Sequence, residues 1–313
     1  MSEPRGSSGE PWRDRLVYLA YAAGWGIVRR LPETLANGLF QLIADVVWRG
    51  RPASVVQLEA NLRRVRPSAT YDELRALSRA GMRSYLRYWC ETFRLPDWNR
   101  DRVVGTVRVE NESNLRNPLR AGRGVVAALP HMGNWDHAGA WASLTDAPVV
   151  TVAERLRPER LFARFLAYRE RLGMEILPLT GGQSHLLSAL TEALRQVRFV
   201  PQLADRDLRA TGVEVELLGE PTRMPPGPAM LALRTGAALL PVSIWYQPGG
   251  RGIVIRFHDE VVAPTTGRTR EKVAAMTQEV ADVFSAAIRA HPADWHMLQP
   301  LWLADFADQP RSP

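Results

Sequence analysis

The sequence predicts an α/β protein with a largely buried sheet, preceded by a helical N-terminal region. Two observations carry this. From about residue 103 onward, short β-branched-rich runs alternate with segments of helical period, whereas the first hundred residues contain only helical patterns. The runs are also apolar almost throughout, as strands covered on both faces are.

The elements follow in order. A first helix is predicted over roughly Trp12 to Arg30. A second follows Pro32-Glu33, with apolar residues at Leu35, Leu39, Leu42, Ile43, Val46 and Val47 forming one stripe and Asn37, Gln41 and Asp45 opposite. A third begins at Thr70, where Thr70-x-x-Glu73 forms a capping box, and runs to about Arg94, before Pro96. The expected strands are 103–109, 124–129, 148–153, 174–179, 198–204, 213–218, 238–246 and 252–258. Helical patterns occupy 134–144, 157–172, 183–196, 227–236 and 270–290. With no repeat and no long linker, residues 1–100 are expected to form a helical region packed on an α/β core at 101–307, one continuous domain overall. Gly, Ser and Pro content predicts disorder over residues 1–10 and 308–313.

Hydrophobic residues make up 46% of the 313 residues, enough for a substantial core, and charged residues 23%. The formal charge is +7, and Lys272 is the sole lysine, so the cationic surface is arginine. That balance suits nucleic acid, an anionic membrane surface or phosphate-bearing substrates, and does not choose among them. Cys90 stands alone, which excludes an internal disulfide and a cysteine-rich zinc site and favours the cytosol. The first apolar run, 16–28, lacks a cleavage site and falls short of the roughly 20 residues that span a bilayer, so a soluble or peripheral protein is expected.

The stretch LPHMGNWDHAG (129–139) lies where a strand should end and a helix begin. His131 would sit at the strand's carboxyl end, where open α/β sheets bind ligands. Asn134 or Asp136 suits a helix cap. Residues five apart on a continuous helix diverge, so His131 and Asp136 meet only if the chain turns at Gly133. A carboxylate on one ring nitrogen would leave the other as a general base. His137, one position into the helix, is expected to be a surface or supporting residue.

Asp205 and Asp207 end another predicted strand. Together with His131 they would make a hydrolase metal centre, or Asp205 would lie beside His131 as a second carboxylate partner or substrate ligand. The bland alternative is an aspartate capping its own turn. Glu154 follows the 148–153 strand. Arg169 belongs to an arginine-rich helix, readable as a solvated face or as phosphate-binding forks. TGGQSHLL (180–187) is either an ordinary turn or a phosphate-binding helix start. The N-terminal helices, with Trp12, Trp25, Trp48 and clustered arginine, suit a membrane interface or simple packing on the core. No G-x-S-x-G motif is present, which disfavours a serine hydrolase.

The His131-x4-Asp136 spacing, with Asn134-Trp135 inside it, resembles the H-x4-D/E motif of glycerolipid-type acyltransferases. More narrowly it resembles the bacterial lauroyl/myristoyl lipid A acyltransferase superfamily. VVQLEANLRRVRP (55–67), ADRD (204–207) and the block from Gly212 to Val242 are similar to further segments of that superfamily. PHMGNWD, AERLRPERLF and DWHMLQPLWLAD look closest to its actinobacterial phosphatidylinositol mannoside acyltransferase subfamily. The resemblance covers about 12 to 303.

It implies a mixed sheet flanked by helices with a tunnel for the acyl chain. It further implies transfer of a long, palmitoyl-type chain from acyl-CoA to a mannose hydroxyl on phosphatidylinositol, at the cytoplasmic face of the inner membrane. Neither metal nor a tightly bound cofactor takes part, and nucleic acid is not a partner. His131 would be the general base. Asp136 would orient it or hold the sugar, and Asp205 would join the catalytic group. Glu154, Arg169, Arg206 and Asp207 would bind substrate. Two readings stay open beside this one: a metal-dependent hydrolase on His131, Asp205 and Asp207, and a non-catalytic binder of anionic lipid.

Overall fold

The computed structural model describes residues 24–153, 167, 169–178, 183–207, 212–249 and 251–307. Most of the helix expected from Trp12, both tails expected to be disordered, Glu154, most of the arginine-rich helix and the Gly181-Gly182 turn lie outside these residues.

Helical residues 24–30 lead into α1 (Glu33–Gly50), α2 (Ala53–Val65) and α3 (Tyr71–Arg94). The capping box of α3 forms as expected: Thr70 Oγ1 accepts from Glu73 N, and Glu73 accepts from Thr70 N. There follow α4 (Arg100–Gly105), β1 (Val107–Glu110), α5 (Glu112–Arg120), β2 (Val125–Leu129) and α6 (Trp135–Leu144). Next come β3 (Val150–Ala153), β4 (Glu175–Pro178), α7 (Gln183–Arg195), β5 (Phe199–Leu203), and the hairpin of β6 (Val213–Leu217) and β7 (Glu220–Met224). The described chain closes with α8 (Gly227–Thr235), β8 (Ala238–Tyr246), β9 (Ile253–Phe257), α9 (Thr269–Ala290) and the short α10 (Leu303–Ala307).

The central sheet has the order β1-β9-β8-β2-β5 and is mixed: β8 runs antiparallel to β9, and the other pairs are parallel. The parallel pair β3–β4 abuts β5 through a bridge between Val149 and Phe199. β2 shows why its sequence is apolar at every position. Val126 and Ala128 enter a core that also holds Leu58 of α2, Leu231 of α8 and Phe284 of α9. Val125, Ala127 and Leu129 face a second core with Trp141 of α6 and Phe257 of β9. Helices therefore cover both faces of the sheet, and the strand ends are left to build the site.

Three expectations change. The predicted strand at 103–109 is half helix: Asn99 caps α4 by accepting from Arg102 N, and Val103 is buried as a helical residue, so the strand begins only at Val107. β7 and α5 carry no clean period and were not expected; Pro118 lies inside α5. On α1 the buried face is Ala36, Phe40, Ala44 and Asp45, while the apolar stripe faces outward, with Leu35 60%, Leu42 59% and Val46 59% exposed. Asp45 is buried because Arg79 and Arg83 of α3 each reach it with two hydrogen bonds. Those bonds, Arg79's first, hold its carboxyl well below the usual carboxylate range.

Candidate active site

β2 ends at Leu129, and the next four residues turn the chain into α6. Gly133 makes the turn possible. Its φ is +62°, and a Cβ there would lie 2.6 Å from the carbonyl oxygen of Ile244 in β8. Asn134 then caps α6, accepting from His137 N at 3.0 Å. The C-terminal segment braces the turn from the other side. Met132 bridges Trp295, Gly133 N donates to Asp294 O (2.9 Å), and His296 N donates to His131 O (2.7 Å).

This turn brings His131 to a carboxylate, but not to Asp136. The ring's Nδ1 lies 2.5 Å from Asp205 Oδ1, and His131 N donates to Asp205 Oδ2 at 2.9 Å. Trp295 Nε1 donates to the same Oδ2 at 3.0 Å. Asp205 is wholly buried two residues beyond β5, which pairs with β2 in register, so the two adjacent strand ends deliver base and acid together. Burial disfavours a protonated His131, yet the charge and hydrogen bond of Asp205 outweigh it and raise the ring's pKa above the usual histidine value. Burial likewise acts to raise Asp205, and His131 and Trp295 hold it below the usual carboxylate range. The His131 side chain is 31% exposed, and its Nε2 makes no hydrogen bond among the described residues.

Asp136 serves differently from the expected orienting partner. It is buried, accepts from Arg169 Nε at 2.9 Å and from Tyr88 OH at 3.0 Å, and makes no hydrogen bond with His131. Proximity in sequence misled here: Asp136 points from the first turn of α6 toward α3, while His131 points across the sheet. Arg206 lines the same cavity as His131 and pairs with neither neighbouring aspartate. Asp207 accepts from Gly212 N at 2.5 Å, closing its own loop. His137 is not a surface residue. It is fully buried, donates from Nε2 to Val103 O at 3.0 Å, and has its pKa lowered chiefly by burial.

The metal-centre reading does not fit these donors. Both oxygens of Asp205 are taken by His131 and Trp295, and Asp207 is occupied by its loop. Among the described residues, no three His, Cys, Asp or Glu side chains gather as metal ligands do.

His131, Asp136, Arg169 and Arg206 open onto a cavity of about 730 Å³. Its inner wall is apolar, with Trp141, Ala142, Met174, Phe199, Ile255 and Phe257 among its residues. Its mouth is aromatic: Tyr88 lies 4.2 Å from Trp135, ring centre to ring centre, and Trp135 meets His131 edge-on at 5.8 Å. His296 completes this wall and was not anticipated. Burial, then the charge of His131, push its pKa down to about 3, and its Nε2 lies 2.9 Å from Ser84 Oγ, which donates to Asp294 Oδ1. The sequence signal for Trp295 and His296 is the Asp294-Trp295-His296 run after the last long helix, which carries a resemblance and no chemistry of its own.

An imidazole hydrogen-bonded to a buried carboxylate thus lies on the wall of a cavity lined largely by apolar side chains. The chain belongs to the bacterial lipid A biosynthesis acyltransferase family, whose model matches residues 10–304, and is an acyltransferase. It is 45% identical over 302 residues to the phosphatidylinositol mannoside acyltransferase of Mycolicibacterium smegmatis, covering 96% of both chains. It is 48% identical over 303 residues to the protein of that name in Mycobacterium tuberculosis strain H37Rv, covering 94% of this chain and 90% of the relative.

Proposed function

We propose that the protein transfers a long fatty acyl chain from acyl-CoA to a mannose hydroxyl of a phosphatidylinositol mannoside, with His131 as general base. The observation that carries this is a His131 ring held by buried Asp205 at the mouth of a mainly apolar cavity, with Nε2 unbonded among the described residues. The two relatives' names supply the acceptor.

A sugar hydroxyl is far too weak an acid to ionise at neutral pH, so its oxygen attacks the thioester carbonyl only as a base takes its proton. His131 Nε2 accepts that proton while Asp205 stabilises the resulting imidazolium through Nδ1. The tetrahedral intermediate then collapses, the C–S bond breaks, and the imidazolium returns the proton to the departing thiolate of CoA. The apolar wall holds the acyl chain, and the aromatic mouth receives the sugar. Asp136, fixed by Arg169 and Tyr88, is placed to accept hydrogen bonds from the sugar. Arg206 is suited to phosphate oxygens, with Glu154 and Asp207 as further substrate-binding residues.

The same reading places the protein peripherally on the cytoplasmic face of an anionic inner membrane. No described helix is long and apolar enough to cross a membrane. The outward stripe of α1, flanked by Arg49 and Arg51, suits docking in the interface plane. The test is transfer of a labelled acyl group from palmitoyl-CoA to purified mannosylated phosphatidylinositol. Free fatty acid released without any acylated glycolipid would point to a hydrolase and overturn the assignment.

A further inference from the structure

We propose that a second cavity, distinct from the one at His131, is a binding site for phosphate groups. It has a volume of about 530 Å³ and lies against another face of α3, enclosed by the start of α1, by α4 and by the β8–β9 connection. Its walls carry Arg83, Arg87, Arg94, Arg102 and Arg251 against the carboxylates of Glu33, Glu91 and Asp294, an excess of cations.

The pairing of these charges shows where an anion is missing. Arg83 is held by Asp45, Arg87 by Glu91, and Arg102 by Glu33, which also lies 3.8 Å from Arg251. Arg94 has no carboxylate partner among the described residues. One end of its guanidinium donates to the carbonyls of Val28 and Leu31, and its Nε–H is buried with no acceptor. Trp98 Nε1–H is likewise buried without an acceptor, and so is the hydroxyl of Tyr246, a residue 8% exposed. All three line this cavity. Buried donors are nearly always satisfied in folded proteins, so three on residues around one space mark a place built for a group of acceptors.

A guanidinium and an indole N–H with a surplus of positive charge suit a phosphate, whose oxygens accept several charge-assisted bonds at once. The group could be carried by a lipid or by a soluble ester. The cavity's α1 wall, Glu33, Asn37, Phe40 and Gln41, belongs to the same helix as the exposed apolar stripe. This inference does not rest on the acyl-transfer reading, since His131, Asp205 and Arg206 themselves do not line this cavity.

The test is binding of inorganic phosphate to the full chain by ³¹P NMR line broadening. Wild type should bind saturably. Trp98→Phe, which keeps the aromatic packing, should weaken binding about tenfold, the loss for one hydrogen bond to a charged group. Arg94→Gln should do the same; because Arg94 also ties down 28–31, its folding is checked by melting temperature, and Trp98→Phe stands if it fails. Arg270→Gln, on the exposed first turn of α9 and outside both cavities, should leave affinity unchanged. Phosphatidylglycerol-containing vesicles that displace phosphate would identify a lipid headgroup as occupant, and phosphate binding indifferent to vesicles would identify a soluble ester. Absence of saturable binding, equal affinity in Trp98→Phe and wild type, or loss only in Arg270→Gln would overturn the site.

Discussion

At the scale of single residues the site rests on three contacts to one carboxylate. Asp205 receives His131 Nδ1, His131 N and Trp295 Nε1, so the ring's tautomer and orientation are set before any substrate arrives. His131→Ala removes the base and should lower transfer by at least about 10²-fold with the fold intact, measured by labelled-glycolipid formation and melting temperature. The pH dependence has a definite sign. The base works when neutral, and Asp205 raises its pKa, so activity should fall on the acid side through a midpoint above the ordinary 6.5. Asp205→Asn removes the attraction that raises it. The acid limb of kcat/KM should then move to lower pH while the rate itself drops; an unmoved limb would separate Asp205 from the titration. His131 was legible in the sequence because an apolar run ending before a histidine and a glycine marks a strand tip. Of the two carboxylates that the sequence offers to His131, Asp205 forms the contact across 74 positions, and Asp136, its neighbour in sequence, does not.

At the scale of elements, local rules did well wherever one strong signal acted alone. The capping box at Thr70 and the uninterrupted apolar run of β2 are formed as read. They failed where tertiary demands prevailed. Residues 103–105 have β-branched character, yet Asn99 starts a helical turn there that carries Val103 into the core. The turn after β2 is the most constrained piece. Gly133→Ala must adopt φ +62° and place a methyl against Ile244 O, which should destabilise the protein by about 1–3 kcal/mol and, by displacing His131, reduce turnover further. Comparing melting temperature and kcat for this variant tests both. The link from α1 to α3 makes another prediction. Arg79 and Arg83 depress the pKa of Asp45, so its contribution to stability is present above the unfolded value near 3.9 and is lost as pH falls below it. Asp45→Asn should therefore show a flatter decline of melting temperature between about pH 5 and 2 than wild type.

For the whole molecule, the outward stripe of α1 is the feature that period alone could not orient. A helix with apolar residues on two sides can bury either, and here the small Ala36 and Ala44 let α1 approach α3 closely while the ring of Phe40 packs on Phe93. The larger Leu35, Leu39, Leu42, Ile43 and Val46 remain outside. Leu42→Asp with Val46→Asp should leave the melting temperature nearly unchanged and reduce sedimentation with phosphatidylinositol-containing vesicles several-fold, since each buried apolar side chain contributes about 1.5–3 kcal/mol. Undiminished sedimentation would assign membrane contact to another surface.

The brace supplied by residues 294–296 reaches back across more than half the chain to the turn after β2. While the ribosome is still adding residues, His131 and Asp205 emerge long before Trp295 and His296 do. A nascent or prematurely terminated chain therefore carries a histidine whose acid lacks one of its hydrogen bonds and whose turn is unsupported. The support for the turn is therefore synthesised well after both members of the pair that it holds.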